Sequence, residues 1–177
     1  KRQHLESIGR FVRKHQLWLI SDEAYDGLTY DDTRHISIGS LNDLFEQTIS
    51  VFTFSKIYMF AGLRVGYAIA TEDVIRQMNK ILVHQLYGPT TFAQYMMIEP
   101  IRTRHQWMPA VCSQYRQLRD SALKQFRIPV PVPQGTYFFF FDIRPYLQGR
   151  DYGSIIEEMI TEGVAIAPGS DFGSDYE

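Results

Sequence analysis

Apolar runs of strand length recur along the chain, separated by segments whose apolar residues fall at helical spacing. LWLI (residues 17–20), TISVFTF (48–54) and LRVGYAIA (63–70) are mostly or wholly apolar. Such runs are typical of strands in a parallel sheet that is covered on both faces. TYFFFFDI (136–143), with four consecutive phenylalanines, and VAIA (164–167) predict two further strands.

The segments between these runs predict helices, and the alternation of strand and helix predicts an α/β architecture. The predicted helices are residues 1–16, 72–86, 91–126 and 154–162. Thr71 is expected to cap the second helix, and Gly163 to form the turn after the last one. Pro100 and Pro109 are expected to be breaks or first-turn residues, because proline lacks the N–H that a helix interior uses.

Composition and charge narrow the class of protein. The 177 residues are 45% hydrophobic, enough for one ordinary domain or parts of two. The net charge of −2 argues against a nucleic-acid-binding protein, and no apolar run approaches the roughly 18 residues of a membrane span. Cys112 is the only cysteine, which excludes an intrachain disulfide and agrees with a reducing cytoplasm, the expected location. The five histidines lack metal-ligand spacing, so we expect no metal site.

The two ends of the chain suggest a portion of a longer protein. The sequence begins without Met, inside a segment already at helical spacing, and it ends in the loop-like APGSDFGSDYE. We therefore expect further sequence on both sides.

Polar side chains cluster where two of the predicted strands end. Asp22 and Tyr25 follow the first strand, and Thr53, Ser55 and Lys56 lie at the end of the second. In open α/β sheets, ligands bind at the carboxyl ends of strands, so these side chains can line one crevice if the strands are neighbours. An Asp in this position can hold the magnesium ion of a nucleotide, as in P-loop ATPases, or the cationic ring of a cofactor.

Two nucleotide-binding alternatives lack their companion motifs. An ATPase of the P-loop type needs a Gly-x-x-x-x-Gly-Lys-Ser/Thr loop, which these residues do not contain, and it leaves Lys56 and Arg64 unexplained. DFG at residues 171–173 matches a protein-kinase motif, but no His-Arg-Asp precedes it, and we interpret it as a turn.

Three stretches, SDEAYDGLTY, TFSKIYMFAGLRVGY and GVAIAPGSDFG, resemble the class I and II aminotransferases, fold-type I enzymes that use pyridoxal 5′-phosphate (PLP). The family pattern is Asp-x-x-Tyr, then Ser-Lys, then an Arg eight residues after the Lys. It falls on Asp22, Tyr25, Ser55, Lys56 and Arg64. The resemblance covers essentially the whole chain and implies the PLP-dependent transferase fold type I. Residues 1–100 would be the C-terminal part of the large mixed-sheet PLP-binding domain, and residues 101–177 an incomplete small α+β domain.

The resemblance also implies how the reactive part of the cofactor is held. Lys56 would be the catalytic residue, forming a Schiff base with the cofactor aldehyde and later moving a proton at the substrate α-carbon. Asp22 would pair with the pyridine nitrogen and keep it protonated, and Tyr25 would donate to the ring oxygen.

The phosphate and the substrate would be bound by further residues of the same pattern. Arg64 would hold the phosphate through its planar guanidinium, with the hydroxyls of Ser55 and Thr53 as additional donors. The stretch VPQGTYFFF resembles the segment that approaches the substrate, so Gly135 and Tyr137 are candidate substrate residues; a strand packed within the small domain is the alternative. The family's glycine-containing phosphate turn, its ring-stacking aromatic residue and its substrate-carboxylate Arg are expected outside this chain.

The resemblance implies transfer of an amino group from an amino acid to a 2-oxo acid, in a ping-pong cycle through pyridoxamine phosphate. It also implies a homodimer with active sites at the interface. The same cofactor residues serve carbon–sulfur lyases, amino-acid oxidases and cyclopropane-forming synthases, which are the alternatives within the class. A PLP-binding regulatory module without turnover is the alternative from a different class.

Overall fold

The computed structural model describes residues 2–41 and 43–176, and within them the regular structure consists of five α-helices and three strands. The helices are α1 (Arg2–Lys14), α2 (Glu72–Gln85), α3 (Thr91–Arg102), α4 (Arg104–Leu123) and α5 (Tyr152–Thr161), and the strands are β1 (Leu19–Asp22), β2 (Thr48–Thr53) and β3 (Gly66–Ile69). Short 3₁₀ helices lie at Ile38–Ser40, Phe45–Gln47, Ala61–Leu63, Arg144–Tyr146, Gly169–Phe172 and Ser174–Tyr176. No helix of the described part of the chain has both the length and the apolar character needed to span a membrane.

The three strands form one mixed sheet with β2 in the centre. β1 runs parallel to β2, with Asp22 opposite Val51, and β3 runs antiparallel to β2, with Gly66 opposite Thr53. The first two predicted strands are therefore neighbours in the sheet, as the predicted crevice requires. The prediction of strands covered on both faces is wrong for this chain, since Ile20 is 71% exposed although Thr48 and Ser50 are buried.

Apolar clusters hold the segments that follow the strands. After β1, Leu28 and Tyr30 pack with Ile57 and with Met108 of α4. The segment after β2 also contributes to a second cluster, in which Phe54 packs with Val65 and with Ala93 and Met97 of α3. Helices α3 and α4 thus fix the backbone at the strand ends, and a third cluster of Val12, Ile38, Leu41 and Leu44 joins α1 to the segment before β2.

Helices α3 and α4 occupy the predicted helical region, but they meet at Thr103 rather than at a proline. The N–H of Thr103 donates to the carbonyl of Glu99 at 2.9 Å and ends α3. Pro100 lies inside α3 and Pro109 inside α4, so the prediction that they are breaks or first-turn residues is wrong. The carbonyl of Pro100 accepts a hydrogen bond from the indole of Trp107 at 3.0 Å, which ties the two helices together at their junction.

The chain forms two compact units. The first contains the residues up to Gln125 together with Pro133–Tyr137, and the second contains Phe126–Val132 together with the residues from Phe138 onward. Helix α4 belongs to the first unit, because Met108 packs against Leu28. The division of domains at residues 100 and 101 stays a prediction about the whole protein, and the compact units of this chain divide later.

The second unit has the predicted helix but not the predicted strands. Asp151 caps α5 by accepting a hydrogen bond from the N–H of Ser154 at 3.0 Å, and Gly163 forms the expected turn with a φ of +85°. The segments 138–143 and 164–167 form no strand in the described residues. A strand is stabilised by pairing with a neighbouring strand, and the strand pairs of the described residues involve β1, β2 and β3 and not these two segments.

Candidate functional site

The strand register brings the predicted cofactor residues to one edge of the sheet. Because β1 and β2 are parallel, both end at this edge, and antiparallel β3 begins there. The candidates at the edge are Asp22, Tyr25, Thr53, Ser55, Lys56 and Arg64, each in or within three residues of a strand terminus. The crevice expected from the sequence therefore has its side chains on adjacent strands.

Lys56 lies in a tight turn directly after β2. Its Nζ atom is 6.0 Å from the centroid of the Tyr25 ring, and its side chain is exposed. The next residue, Ile57, is 4% exposed and anchors the turn in the apolar cluster with Leu28. The carbonyl of Lys56 accepts the N–H of Met59 at 3.0 Å. The turn is thus anchored by a buried residue, while the Lys56 amine extends toward solvent and toward the segment after β1.

The two hydroxyls beside Lys56 have different environments. The Thr53 hydroxyl accepts a hydrogen bond from the N–H of Ser55 at 3.1 Å, so it already stabilises the turn. Such a contact leaves the hydroxyl proton available for a ligand. Ser55 is half-buried. Both hydroxyls remain candidates for the phosphate.

Asp22 presents its carboxylate at the end of β1. One oxygen, Oδ1, accepts a hydrogen bond from the N–H of Ala24 at 3.0 Å, which fixes the orientation of the side chain. The other oxygen has no hydrogen-bond partner among the described residues. Because the side chain is exposed, this carboxylate is a ready partner for a cationic ring nitrogen.

Tyr25 donates a hydrogen bond from its hydroxyl to the hydroxyl of Tyr137 at 3.1 Å. The two rings meet edge to face, with centroids 5.2 Å apart and an interplanar angle of 83°. Burial raises the pKa of Tyr25 well above its usual value, and the hydrogen bond to Tyr137 and the nearby Asp22 carboxylate raise this pKa further. Tyr25 therefore stays protonated and available as a donor at neutral pH.

Arg64 lies just before β3 in the left-handed region, with a φ of 55° and a ψ of 47°. Its Nη1 atom donates to the carbonyl of Ala61 at 2.9 Å, and its side chain is exposed. Gly66 allows β3 to approach β2, since a Cβ at this position would lie 2.5 Å from the carbonyl oxygen of Phe52. The register brings Arg64 to the edge, but its guanidinium contacts the backbone of its own turn rather than Ser55 or Lys56.

Gly135 and Tyr137, the candidate substrate residues, lie against the segment after β1. Gly135 forms a bridge with Thr29, and a Cβ on Gly135 would lie 2.7 Å from the carbonyl oxygen of Leu28. Only glycine permits this close approach. The structure thereby brings Tyr137 into contact with Tyr25, while its role toward a substrate stays a prediction.

A buried carboxylate beside Asp22 was missed by the sequence reasoning. The side chain of Glu23 is 2% exposed, and one oxygen, Oε1, accepts hydrogen bonds from the hydroxyls of both Ser21 at 2.9 Å and Ser37 at 2.8 Å. Its other oxygen lies 2.5 Å from Nε2 of His35. The consecutive Asp and Glu were a signal, but the partners of Glu23 come from a segment whose approach the sequence does not reveal.

The donor set at this edge fits PLP. It combines a carboxylate for the pyridine nitrogen, a protonated phenol for the ring oxygen, a primary amine for the aldehyde, and a guanidinium with hydroxyls for the phosphate. Two of these groups, the Lys56 amine and the Tyr25 ring, lie close together, with the Nζ atom 6.0 Å from the ring centroid.

Comparison with protein families matches residues 1–176 to "Aminotransferase class I and II". The chain is 33% identical to an aspartate aminotransferase of Pyrococcus abyssi and 32% identical to aromatic-amino-acid aminotransferase 2 of Thermococcus litoralis, over 98% and 97% of its length. It spans about half the length of these curated relatives, 46% and 45%. An aromatic aminotransferase from Pyrococcus horikoshii has a similar crystal structure, with a TM-score of 0.90 and 34% identity over 98% of this chain and 48% of that one.

Proposed function

Because the chain belongs to the family of class I and II aminotransferases, we propose that the whole protein is a PLP-dependent aminotransferase. It transfers an amino group from an amino acid to a 2-oxo acid. The observation that carries this proposal is the meeting of Asp22, Tyr25, Lys56 and Arg64 at one sheet edge, with Lys56 Nζ 6.0 Å from the Tyr25 ring centroid.

The cofactor, when bound, supplies an electron sink for the electrons that remain when the substrate α-carbon loses its proton. Lys56 would hold the cofactor through its amine as a Schiff base and would serve as the group that moves the proton at the substrate α-carbon. Lysine suits both tasks, since its amine forms imines reversibly and can act as a base when it is not protonated.

Asp22 and Tyr25 keep the ring in the state that accepts electrons. The Asp22 carboxylate pairs with the pyridine nitrogen and favours its protonated form, because an opposite charge within a few ångströms stabilises a cation. Tyr25 donates its hydroxyl proton to the ring oxygen and stabilises a negative charge there. The raised pKa of Tyr25 supports this assignment, because only the protonated phenol can donate.

The phosphate is held at the start of β3 and the end of β2. Arg64 offers a planar fork of donors that matches two phosphate oxygens, and its exposed side chain is able to turn from the Ala61 carbonyl to a ligand. Ser55 and Thr53 add hydroxyl donors. Gly135 and Tyr137 are proposed to border the substrate pocket.

We further propose that the protein is a cytoplasmic homodimer. The resemblance to a family whose members usually pair supports the dimer, and the single Cys112 agrees with a reducing compartment. Light scattering of the full-length protein tests the dimer, and a mass of one chain contradicts it.

The decisive experiment adds PLP to the full-length protein, reduces it with borohydride and maps the modified peptide by mass. We expect a visible absorption band and a label on Lys56, both lost in Lys56→Ala. Lys80→Ala is the matched control, since Lys80 is an exposed lysine of α2 whose amine donates to Gln77 in the same helix. A colourless protein, or a label that persists in Lys56→Ala, contradicts the proposal.

A substrate screen follows with aspartate and aromatic amino acids, after which the two curated relatives are named. Each amino acid is paired with a 2-oxo acid, and formation of the new amino acid is measured. Release of ammonia without a new amino acid identifies a lyase or an oxidase instead. A protein that carries the Lys56 label but turns over no amino acid is a PLP-binding module.

A further inference from the structure

We propose that Tyr137 is a positioning residue that acts on the cofactor ring oxygen through Tyr25. The two hydroxyls form a relay, in which Tyr137 donates to Tyr25 while Tyr25 donates to the ring oxygen. This inference rests on the proposed function, since it requires PLP on Lys56. It gives Tyr137 a role that does not depend on contact with the substrate.

The geometry of the pair carries the proposal. The two hydroxyl oxygens are 3.1 Å apart, within hydrogen-bond distance, and the rings pack edge to face at 5.2 Å. Tyr25 is at the same time the residue whose ring lies 6.0 Å from the Lys56 amine. Tyr137 is therefore one hydrogen bond away from the group assigned to the ring oxygen.

The position of Tyr137 is fixed by its backbone. The N–H of Thr136 donates to the carbonyl of Leu28 at 2.9 Å, and the N–H of Tyr30 donates to the carbonyl of Gln134 at 2.9 Å. The hydroxyl of Tyr30 donates to the carbonyl of Thr136 at 2.5 Å. Two of these hydrogen bonds are made by Thr136, the residue before Tyr137, and the third is made by Gln134, so the contact between the two hydroxyls is built into the fold.

The aromatic ring of Tyr115 also packs against the ring of Tyr137. The two ring centroids are 6.0 Å apart, with an interplanar angle of 28°. Tyr115 lies in α4, a helix that packs on the segment after β1 through Met108. The support is apolar, so the hydroxyl of Tyr115 is not required for the relay.

The chemistry of a phenol permits the reversal of the bond between the two tyrosines. A tyrosine hydroxyl has one proton to donate and two lone pairs that accept. When Tyr25 donates its proton to a negatively charged oxygen, its own oxygen can accept the proton of Tyr137. Hydrogen bonds in such a chain polarise each other, by about 10–30% per bond, so Tyr137 strengthens the donation by Tyr25.

The electrostatics of Tyr25 agree with this role. Burial is the largest cause that raises its pKa, and the nearby Asp22 carboxylate raises this pKa as well. Tyr25 thus remains a neutral donor and does not become a phenolate that would repel the ring oxygen. A second hydroxyl is the means by which a neutral donor can be made stronger without adding charge.

The relay has a spectroscopic consequence. With PLP bound on Lys56, a negative ring oxygen would stabilise a proton on the Lys56 nitrogen. Stronger donation by Tyr25 withdraws charge from the ring oxygen and lowers the pH at which the proton leaves. Removal of the Tyr137 hydroxyl is therefore expected to raise this pH, which is read directly from the visible absorption band.

The test is a pH titration of the visible band in the full-length protein loaded with PLP. We expect Tyr137→Phe to raise the midpoint by about 0.1–0.7 pH unit, which corresponds to about 10–30% of a charge-assisted hydrogen bond of about 1.5–3 kcal/mol. Tyr25→Phe should raise the midpoint by more. Tyr115→Phe is the matched control, because it removes a neighbouring hydroxyl and keeps the ring, and its midpoint should equal that of the parent.

A double variant shows whether Tyr137 acts through Tyr25. In the Tyr25→Phe background, Tyr137→Phe should add no further shift, since the relay is already broken. An unchanged midpoint in Tyr137→Phe, or an equal shift in both backgrounds, overturns the relay while the borohydride label on Lys56 leaves the proposed function standing. A parent protein without the Lys56 label overturns both.

Discussion

The sheet edge and the second unit differ in what holds their backbone. At the edge, β2 has a strand on each side, and the turns that follow are anchored by Ile57 and Phe54 in apolar clusters. Among its described residues, the second unit has one α-helix, α5, and aromatic contacts such as those of Phe126 with Phe139 and Phe141, with ring centroids 5.2 Å and 5.5 Å apart. These aromatic contacts form without any strand ladder.

This difference shows how far side-chain chemistry alone can specify a backbone. Four consecutive phenylalanines have a strong preference for strand, but that preference reflects packing against neighbouring strands. In the second unit, Phe139 and Phe141 pack on Phe126, and Phe140 packs on Phe172, but this segment forms no strand among the described residues. At the edge, by contrast, each of the three strands pairs with a neighbour, so the backbone that carries the functional side chains has a fixed position.

The largest effect is expected for the carboxylate at the end of β1. Asp22→Asn in the full-length enzyme should lower the rate by about 100- to 1000-fold, a loss typical of one preorganised electrostatic group. The neutral amide cannot keep the pyridine nitrogen protonated, although the Schiff base with Lys56 should still form. Turnover is measured with the amino acid found in the screen, and the visible band shows that the cofactor is bound.

The control for this variant is Asp73→Asn. Asp73 is an exposed carboxylate of α2 that pairs with Arg76, away from the sheet edge. Its rate should equal that of the parent. An Asp22→Asn enzyme with full turnover would remove Asp22 from the active site and weaken the contrast between the edge and the rest of the chain.

The next effect concerns the buried carboxylate behind the edge. Glu23→Gln should lower the free energy of unfolding by about 1.5–3 kcal/mol, because the amide cannot replace a carboxylate that accepts from Ser21, Ser37 and His35 together. Denaturant unfolding monitored by fluorescence measures the loss. Glu46→Gln, at an exposed glutamate, is the control and should change little. Equal stability of Glu23→Gln and the parent would show that the network does not hold the end of β1.

The contrast between Asp22 and Glu23 illustrates which parts of the site are readable from sequence. Asp22, Tyr25, Lys56 and Arg64 stand at fixed spacings beside apolar runs, so their common edge was predictable once the strands were taken as neighbours. Glu23 has the same kind of side chain as Asp22 but points to the interior. Its burial depends on His35 and Ser37, which approach through a segment without periodicity.

The fold was predictable to a similar degree. Helical periodicity located α2 and α5 closely, because amphipathic spacing is a local property of the chain. The direction of β3 and the open face at Ile20 were not predictable, since they depend on which elements are present to pack on the sheet. Pro100 and Pro109 are tolerated inside α3 and α4, so the expected break was displaced to Thr103.

A smaller effect is expected where the segment 133–137 touches the edge. Gly135→Ala should lower the free energy of unfolding by about 1–2 kcal/mol, because its Cβ would lie 2.7 Å from the carbonyl oxygen of Leu28 and would push the segment away. The same displacement should move Tyr137 away from Tyr25, so the pH midpoint in the titration of the visible band should rise as well. Gly62→Ala is the control, since a Cβ there meets no atom within 4 Å. A normal midpoint in Gly135→Ala would mean that the segment does not position Tyr137.

The smallest effect is expected in the second unit. Asp151→Ala removes the side chain that accepts from the N–H of Ser154 at 3.0 Å and should destabilise α5 by about 1 kcal/mol. Hydrogen exchange of the α5 amides measures this loss, which should appear as faster exchange of about fivefold for residues 152–161. The amides of β2 should exchange at the parent rate, because the cap lies in a different compact unit. Faster exchange in both regions would show that the two units open together, and the contrast between an edge held by its own ladder and a unit held by one helix would then fail.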